Sequence, residues 1–467
     1  MTEPEDSLDA PVGVSREAPE AIFASLALLA GLALLLVTPP FGNPDEHVHL
    51  ARAMLVSQGR WWAPGQAPWA RAEIPKSVSL LEHRLGHAPP TSPPRKFTAA
   101  EIRRLLEQPL DPQDTVSARY LGYYPPLAYA PQAVALWVAR RLGPSSPAAL
   151  VYVGRLGNLL SYVALGWLAL RVAPVRRWAL FLLLLAPMNV AQASSLSADA
   201  PTLALAVLFF ALACRTAFGA VAPWPLRRAR ALLAAGVGLG LVKPGYWTLA
   251  GLGLLTPSRS FPSRHARGLA LGALLAAMVM PSALWGALVA ASQPYSPSPV
   301  ADPRAQLVWV LAHPLAFART LLQALELGIP IYVETFVGRL GHLNILLPGW
   351  LLVGYPIALT TSVLTDPRDP PALDGCQRAV LVGLFAMGAG GIFLLSYIGW
   401  NSVGAPLIEG VQGRYFAPLA PLLLLAIPAR EIGRLSASTR AEIFGGAAAL
   451  ALAVAALAVG SAFFGAA

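Results

Sequence analysis

Charged residues are scarce in this chain: Asp, Glu, Lys and Arg make up 12% of its 467 residues, whereas 56% are hydrophobic. A soluble domain carries about twice that charged fraction, so the composition excludes an ordinary soluble globular protein. Long apolar runs recur along the chain, and about 20 apolar residues in a helix span a bilayer. We therefore predict an all-α polytopic membrane protein, in which the 44 prolines and 40 glycines mark kinks and helix ends.

Cysteine is almost absent, which excludes two further classes of protein. Only Cys214 and Cys376 occur, both at predicted cytoplasmic helix ends, so neither a disulfide framework nor a cysteine metal site is expected. The net charge of +10 does not indicate nucleic-acid binding, because no patch interleaves basic and aromatic residues. We therefore expect membrane lipid, and no nucleic acid, among the partners.

The N-terminal segment 1–20 is acidic apart from Arg16 and is predicted to be a cytoplasmic tail. The first apolar run, 21–38, lacks a small-residue cleavage site, so we interpret it as the first transmembrane helix rather than a cleaved signal. Further apolar runs lie at 122–139, 150–170, 178–193, 199–214, 231–256, 268–291, 343–364, 378–398, 415–429 and 441–464.

Arginine clusters orient these runs, since short arginine-rich loops belong in the cytoplasm. The clusters lie at 171–177, 215–230, 259–267 and 430–440. All four are cytoplasmic if 122–141 stays at the outer surface and if 231–256 is a pair of half-spans bent at Lys243-Pro244-Gly245. This model has about eleven crossings, with the N-terminus inside and the C-terminus outside. If 122–141 crosses instead, several arginine loops fall on the wrong side.

The predicted topology divides the chain into membrane modules and outer loops. The segment 39–149 is an extracytoplasmic loop with interfacial helices at 44–58 and 98–108, and 150–291 is a transmembrane module. The segment 292–342 is a second extracytoplasmic loop, followed by the C-terminal transmembrane helices in 343–467. A long loop without function would be unusual, so we expect chemistry at the outer face.

The stretch GNPDEHVHLARAMLVSQGRW, 42–61, places acidic residues just where the chain leaves the first span. One interpretation is structural: Asn43 caps a helix, and Asp45 and Glu46 favour its dipole. On that helix Asp45, His49 and Arg52 would share a face at i, i+4 and i+7. A carboxylate beside an imidazole can act as a general base or hold a metal, and a divalent metal is left open.

A second group of polar residues lies at predicted span ends. Asp199 either caps a helix together with Ser197 or provides a second carboxylate in the same cavity. Lys243 either snorkels to the interface or binds an anion. Arg414 either anchors the interface or clamps a phosphate.

Two more residues of this kind lie one turn apart within an apolar run. Arg155 and Asn158 either line the phosphate pocket or pack structurally. The structural role is the favoured interpretation for this pair.

These motifs, in their order along the chain, resemble the GT-C glycosyltransferases, which include the lipid A aminoarabinose transferases and the protein O-mannosyltransferases. The resemblance covers about 21–430. It rests on the motifs PDE with SQGRW, YYPPLAY, RLGNLLSYVALGWLALR, SLSADAPTLAL, LVKPGYW and QGRYFAPLAP. The chain is also similar to an uncharacterised bacterial family of multispan proteins that carries PDE and QGRYF.

The resemblance implies a GT-C-like helical bundle and an inverting transfer of sugar from a polyprenyl-phosphate donor to a glycan, lipid or protein acceptor. It implies that Asp45 is the catalytic base, with Glu46 beside it. Asp199 corresponds to the second acidic residue, and Lys243 and Arg414 to phosphate-binding positions. Tyr124 stands where the aminoarabinose transferases have a lysine, which puts recognition of a phosphorylated lipid acceptor in doubt.

Other functions remain open from the sequence. A transporter or flippase would explain the broken span at Lys243, and a scaffold in a cell-envelope assembly would tolerate substitution of both carboxylates. The aromatic residues of the first loop either stack on a sugar or, as we favour, form an interfacial belt; they are Trp61, Trp62, Trp69, Tyr123 and Tyr124. The expected location is the bacterial inner (plasma) membrane.

Overall fold

The computed structural model describes residues 19–61, 71–85, 91–119, 122–143, 146–219, 226–292, 300–365, 373–428 and 435–464. These residues are mostly helical, with two small two-stranded sheets. Four predicted features lie outside the described residues: most of the N-terminal tail (1–18), Trp62, Trp69, and the first two arginines of the fourth cluster.

Among the described residues, seven helices are long and apolar enough to cross a membrane. They are α1 (Pro19–Val37), α6 (Pro147–Val172), α9 (Asp199–Phe218), α11 (Arg264–Ser292), α13 (Pro314–Val337), α15 (Gly375–Trp400) and α17 (Ala437–Phe464). A shorter apolar helix, α14, covers Gly349–Leu364. The prediction of a multispan helical membrane protein is therefore confirmed.

Other apolar runs are broken helices. The run 178–193 divides into α7 (Arg177–Leu184) and α8 (Pro187–Ala193), because a proline begins the second helix. The predicted break at Lys243-Pro244-Gly245 is confirmed: α10 (Leu226–Gly240) ends before it, and a 3₁₀ helix, Trp247–Leu255, follows. Gly245 has a φ of 113°, which favours glycine at the turn.

The segment between the first two long spans, predicted as the first outer loop, folds into a small layer of its own. The predicted helices 44–58 and 98–108 are confirmed as α2 (Glu46–Ser57) and α4 (Ala99–Glu107). Thr98 and Glu101 form a reciprocal capping box at the start of α4. The layer also contains α3 (Lys76–Leu85) and an antiparallel pair of strands, β1 (Arg71–Pro75) and β2 (Thr115–Arg119).

The rest of the segment up to 149 and the second half of the chain add shorter elements. After a 3₁₀ turn, Pro126–Tyr129, comes α5 (Ala130–Leu142). Later come α12 (Pro303–Ala312), the two-residue strands β3 (Arg339–Leu340) and β4 (Ile345–Leu346), and α16 (Ala420–Ala426) after the 3₁₀ turn Gly413–Phe416.

The centre of the bundle is α6, which packs against α1, α5 and α9. Small residues allow these close approaches: a Cβ on Gly157 would lie 2.6 Å from the Pro131 carbonyl oxygen of α5. The outer loop is tied to the far end of the chain, since the Phe97 N–H donates to the Phe463 carbonyl at 2.8 Å. Lys96 Nζ donates to the Ser461 carbonyl at 2.6 Å, so the C-terminal end of α17 lies beside the outer loop.

Candidate functional site

A fully buried ion pair joins α2 to α6. Arg155 Nη2 and Nε lie 2.6 and 2.9 Å from the two carboxylate oxygens of Glu46, and both side chains are 0% exposed. The other donors of Arg155 bind the carbonyls of Leu35, Thr38 and Pro39 at the end of α1. All five guanidinium N–H groups are thus used, and none is left for a phosphate.

Glu46 is equally occupied. Besides Arg155, its carboxylate accepts the backbone N–H of Leu196 at 3.0 Å, and burial keeps an acceptor hydroxyl away from it. We therefore treat Glu46 and Arg155 as a structural pair that holds the outer loop against the bundle, and not as a base and a phosphate ligand.

Asp45 differs from its neighbour in every respect. It is the N-cap residue of α2, in place of the predicted Asn43, but its side chain makes no capping bond. Its φ of 60° is left-handed, a strained conformation that Asp tolerates better than most residues. The side chain is exposed, and no partner is recorded for it in the described part of the chain. Asp45 is therefore available to a substrate.

Asp199, Lys243 and Arg414 form a second cluster. Asp199 Oδ1 lies 2.6 Å from Lys243 Nζ, and its Oδ2 lies 3.0 Å from Arg414 Nε. The side chains are 19%, 14% and 8% exposed, respectively. The N-cap of α9 is Ala198, with no side-chain capping bond, so the Asp199 carboxylate serves the two cations and not the helix amides.

Tyrosine rings surround the two cations. Lys243 Nζ lies 4.7 Å from the ring centre of Tyr415 and 5.6 Å from that of Tyr124, and the guanidinium of Arg414 lies 5.5 Å from Tyr415. Such contacts stabilise cations without neutralising them. Arg414 Nη1 is buried and has no hydrogen-bond partner among the described residues. The cluster therefore retains a donor for a ligand oxygen.

His49 lies near both Asp45 and this cluster. Its Nδ1 is 2.8 Å from the Tyr129 hydroxyl, and its ring stacks near Tyr124. Tyr129 is fully buried, and the direction of this hydrogen bond depends on the tautomer of His49. Burial lowers the pKa of His49 to about 4, although Asp45 and Asp199 both act to raise it. The imidazole is therefore neutral near pH 7.

The low pKa of His49 makes stability depend on pH. An unfolded histidine binds its proton near pH 6.5, whereas folded His49 does so only near pH 4. The free energy of unfolding is therefore highest above about pH 6.5. It falls as the pH drops from 6.5 to 4, by about 3 kcal/mol at most. Thermal unfolding midpoints across this range should show the loss. His49→Gln should flatten the curve, and an unchanged slope in that variant would contradict the assignment.

Arg52 and a buried amide network support the site from behind. Arg52, fully buried, donates to the carbonyls of Trp61 and Tyr124. Gln132 donates to Asn158 Oδ1 at 2.9 Å, and Asn158 in turn donates to the Ser195 carbonyl at 2.8 Å. This amide network of Gln132 and Asn158 fixes the turn that leads into Asp199.

Two residues that support the site were not predicted from the sequence. Tyr129 and Gln132 were not singled out, although the run YYPPLAY marked the segment that carries the tyrosine. In the part of the chain that the structure describes, no three His, Cys, Asp or Glu residues are grouped to hold a metal.

An apolar cavity of about 230 Å³ adjoins the cation cluster. Its walls come from the end of α10, the turn after Lys243 and the middle of α11, and its lining residues include Leu239, Tyr246, Trp247, Met278, Val279 and Ala283. Its one charged lining residue is Lys243. The cavity therefore suits an apolar chain whose anionic head meets the cations.

Comparison with known proteins finds a family model that covers most of the chain. A family model described as "Predicted membrane protein (DUF2142)" matches residues 28–423, which span every element of the site described above. No curated protein and no solved structure matches the chain significantly.

Proposed function

The chain belongs to the DUF2142 family of predicted membrane proteins, and we propose that this member is a GT-C-type glycosyltransferase. It would move a sugar from a polyprenyl-phosphate donor to an acceptor hydroxyl at the extracytoplasmic face of the bacterial inner membrane. The acceptor would be a glycan, a lipid or a protein. The observation that carries the proposal is the pair of buried cations, Lys243 and Arg414, held on one carboxylate near the exposed Asp45.

The cation cluster supports a phosphate-bearing donor. An anion that leaves a sugar must be stabilised where its charge develops. Lys243 and Arg414 are both within 3.0 Å of one carboxylate, so they already converge on an anionic group. The unpartnered Nη1 of Arg414 provides a further donor for a phosphate oxygen. The adjacent apolar cavity supports a lipid tail on that phosphate.

Asp45 supports the other half of the reaction. A general base must accept the proton of the attacking hydroxyl, and Asp45 is the carboxylate near the site whose oxygens are exposed and unengaged. Its electrostatic influence reaches both His49 and Arg414. A sugar held between Asp45 and the cations would be attacked opposite its phosphate, which inverts the anomeric carbon. The Nε2 of neutral His49 would hydrogen-bond to the sugar or acceptor.

The topology with about eleven crossings is part of the proposal. It places Asp45, Asp199, Lys243 and Arg414 on one outer face. The bonds from Lys96 and Phe97 to the end of α17 support an outward C-terminus. Arg176 belongs to the predicted inner cluster. It donates to the carbonyls of Val363 and Ile427, at the C-terminal ends of α14 and α16, which this topology places on the inner side.

The proposal is tested by sugar transfer in lipid nanodiscs. The purified full-length protein would be offered a panel of polyprenyl-phosphate donors with labelled sugars, together with membrane glycan, lipid and peptide acceptors. Release of polyprenyl phosphate, with label in one acceptor, is the expected result. If every donor binds but none turns over with any acceptor, the transferase proposal fails.

Arg414→Ala is expected to weaken donor binding by about tenfold or more, because a charged hydrogen bond to phosphate is lost. The yield of folded protein should fall by a smaller factor than the donor affinity does. Binding of labelled donor to nanodiscs measures the first, and size-exclusion chromatography the second. An unchanged donor affinity would argue against a phosphate role for Arg414.

A transporter or flippase is the second candidate, and the broken span around Lys243 favours it. Broken helices near a bound anion are typical of secondary transporters. Lipid or solute movement across proteoliposomes that depends on Lys243, without any sugar transfer, would support this candidate.

A further inference from the structure

We propose that Asp199 sets the charge of the phosphate that the cation cluster accepts, so that the site prefers a phosphodiester with one negative charge over more highly charged lipid phosphates. The inference rests on the proposed function, since it concerns the donor-phosphate site. It assigns Asp199 a role in specificity rather than in the chemical step.

The geometry shows how one carboxylate serves two cations. Each oxygen of Asp199 faces a different partner, with Oδ1 2.6 Å from Lys243 Nζ and Oδ2 3.0 Å from Arg414 Nε. Two cations and one carboxylate leave a single net positive charge. A ligand with one negative charge therefore balances the cluster, and a ligand with more charge exceeds it.

Because the cluster is buried, an unbalanced charge in it costs more free energy than it would in water. The three side chains are at most 19% exposed, so solvent and salt screen an excess charge poorly. The surrounding tyrosines are neutral and cannot absorb a second negative charge. The buried Nη1 of Arg414 without a partner marks where a phosphate oxygen binds while Asp199 stays in place.

The neighbouring titratable groups do not reverse the balance. His49 is neutral near pH 7, and Asp45 adds negative charge from a distance. Arg52 keeps its positive charge while it donates to the carbonyls of Trp61 and Tyr124, and the negative charge of Asp45 offsets it. These three neighbours therefore sum to zero charge near pH 7 and leave the single positive charge of the cluster unchanged.

The relevant lipids differ in charge. A phosphodiester that links a lipid to a sugar carries one negative charge. A phosphate monoester carries about 1.5 to 2 negative charges at neutral pH, and a pyrophosphate carries still more. Asp199 would thus separate donors linked through one phosphate from donors linked through two.

The test uses three lipids with the same polyprenyl chain: the methyl phosphodiester, the phosphate monoester and the pyrophosphate. Their binding to the full-length protein would be measured in nanodiscs of uncharged lipid, near neutral pH. We expect the wild-type protein to bind the diester about tenfold or more tighter than the pyrophosphate. Asp199→Asn should close or reverse that gap. Glu409→Gln, which removes an exposed carboxylate of the 401–411 loop, should leave the ranking unchanged.

A charge-restoring variant guards against misfolding of the single variant. Asp199→Asn leaves two cations with no carboxylate, whereas Asp199→Asn with Lys243→Met leaves one cation and again one net positive charge. The double variant should recover the wild-type ranking. Lys243→Met alone should weaken the binding of all three lipids and keep the diester ahead, because its cluster is neutral and any ligand charge is in excess.

Several outcomes would overturn the inference. They are equal weakening of all three lipids by Asp199→Asn, a double variant that ranks them unlike the wild type, and no binding of any lipid by the wild-type protein. Because the assay needs no turnover, it separates the two proposals. The expected ranking without any sugar transfer would overturn only the transferase function.

Discussion

Replacing Asp45 with asparagine is expected to reduce sugar transfer by about 10²–10⁴-fold, the usual contribution of a general base. Asparagine keeps the size of the side chain and tolerates the left-handed backbone at this position. It cannot take a proton from the acceptor hydroxyl. Initial rates at saturating donor, with label in acceptor as the readout, would measure the loss. Donor binding should stay within about twofold of wild type, because Asp45 contacts neither cation.

The matched control is Glu107→Gln, which neutralises an exposed carboxylate in α4 of the same outer loop. It should transfer sugar at the wild-type rate. If Asp45→Asn retains normal transfer while folded, the base has been assigned to the wrong residue. Loss of donor binding in that variant would instead indicate that Asp45 helps to hold the phosphate.

Arg155→Met is expected to cause the largest loss of stability of any single substitution in the site region. It leaves the Glu46 carboxylate buried without its partner, which typically costs about 3–5 kcal/mol. It also orphans the carbonyls of Leu35, Thr38 and Pro39. The fraction of monodisperse protein after extraction and the thermal unfolding midpoint would both report the effect.

The double variant Glu46→Gln with Arg155→Met provides the control for this prediction. With the buried charge removed as well, stability should partly recover, and the interaction energy between the two positions should be favourable in the native protein. Equal and additive losses from both single substitutions would contradict a coupled pair. Retained stability of Arg155→Met would reopen a ligand-binding role for Arg155.

Helix starts and breaks could be predicted where the residues that cause them are close together in the sequence. The Thr98-x-x-Glu101 pattern predicts the start of α4 because both partners of the capping box lie within one turn. The Pro-Gly pair after Lys243 predicts the break for a similar reason. The strands β1 and β2 were missed, because they pair across α3 and α4 and no short turn announces them.

Long-range pairing could not be foreseen for the charged residues. An arginine within an apolar run indicates function by default. Nothing in the sequence shows that the N–H groups of Arg155 all bind Glu46 and the end of α1. The same limit applies to Asp199, whose local context predicted a helix cap with equal force. The N-cap of α2 shifted from Asn43 to Asp45, where the tertiary bonds of Glu46 join the helix start to α6 and to the turn before α9.

The pairing of Glu46 with Arg155 also bears on how the protein is made. Arg155 lies in the second long span, and a lone arginine in a nascent membrane helix is costly. Its partner belongs to the loop that is synthesised first, which the proposed topology places on the far side of the membrane. We expect α6 to settle stably only after that loop has been translocated and α2 has formed. Biogenesis of this bundle is thus coupled to the order in which its outer loop and second span emerge.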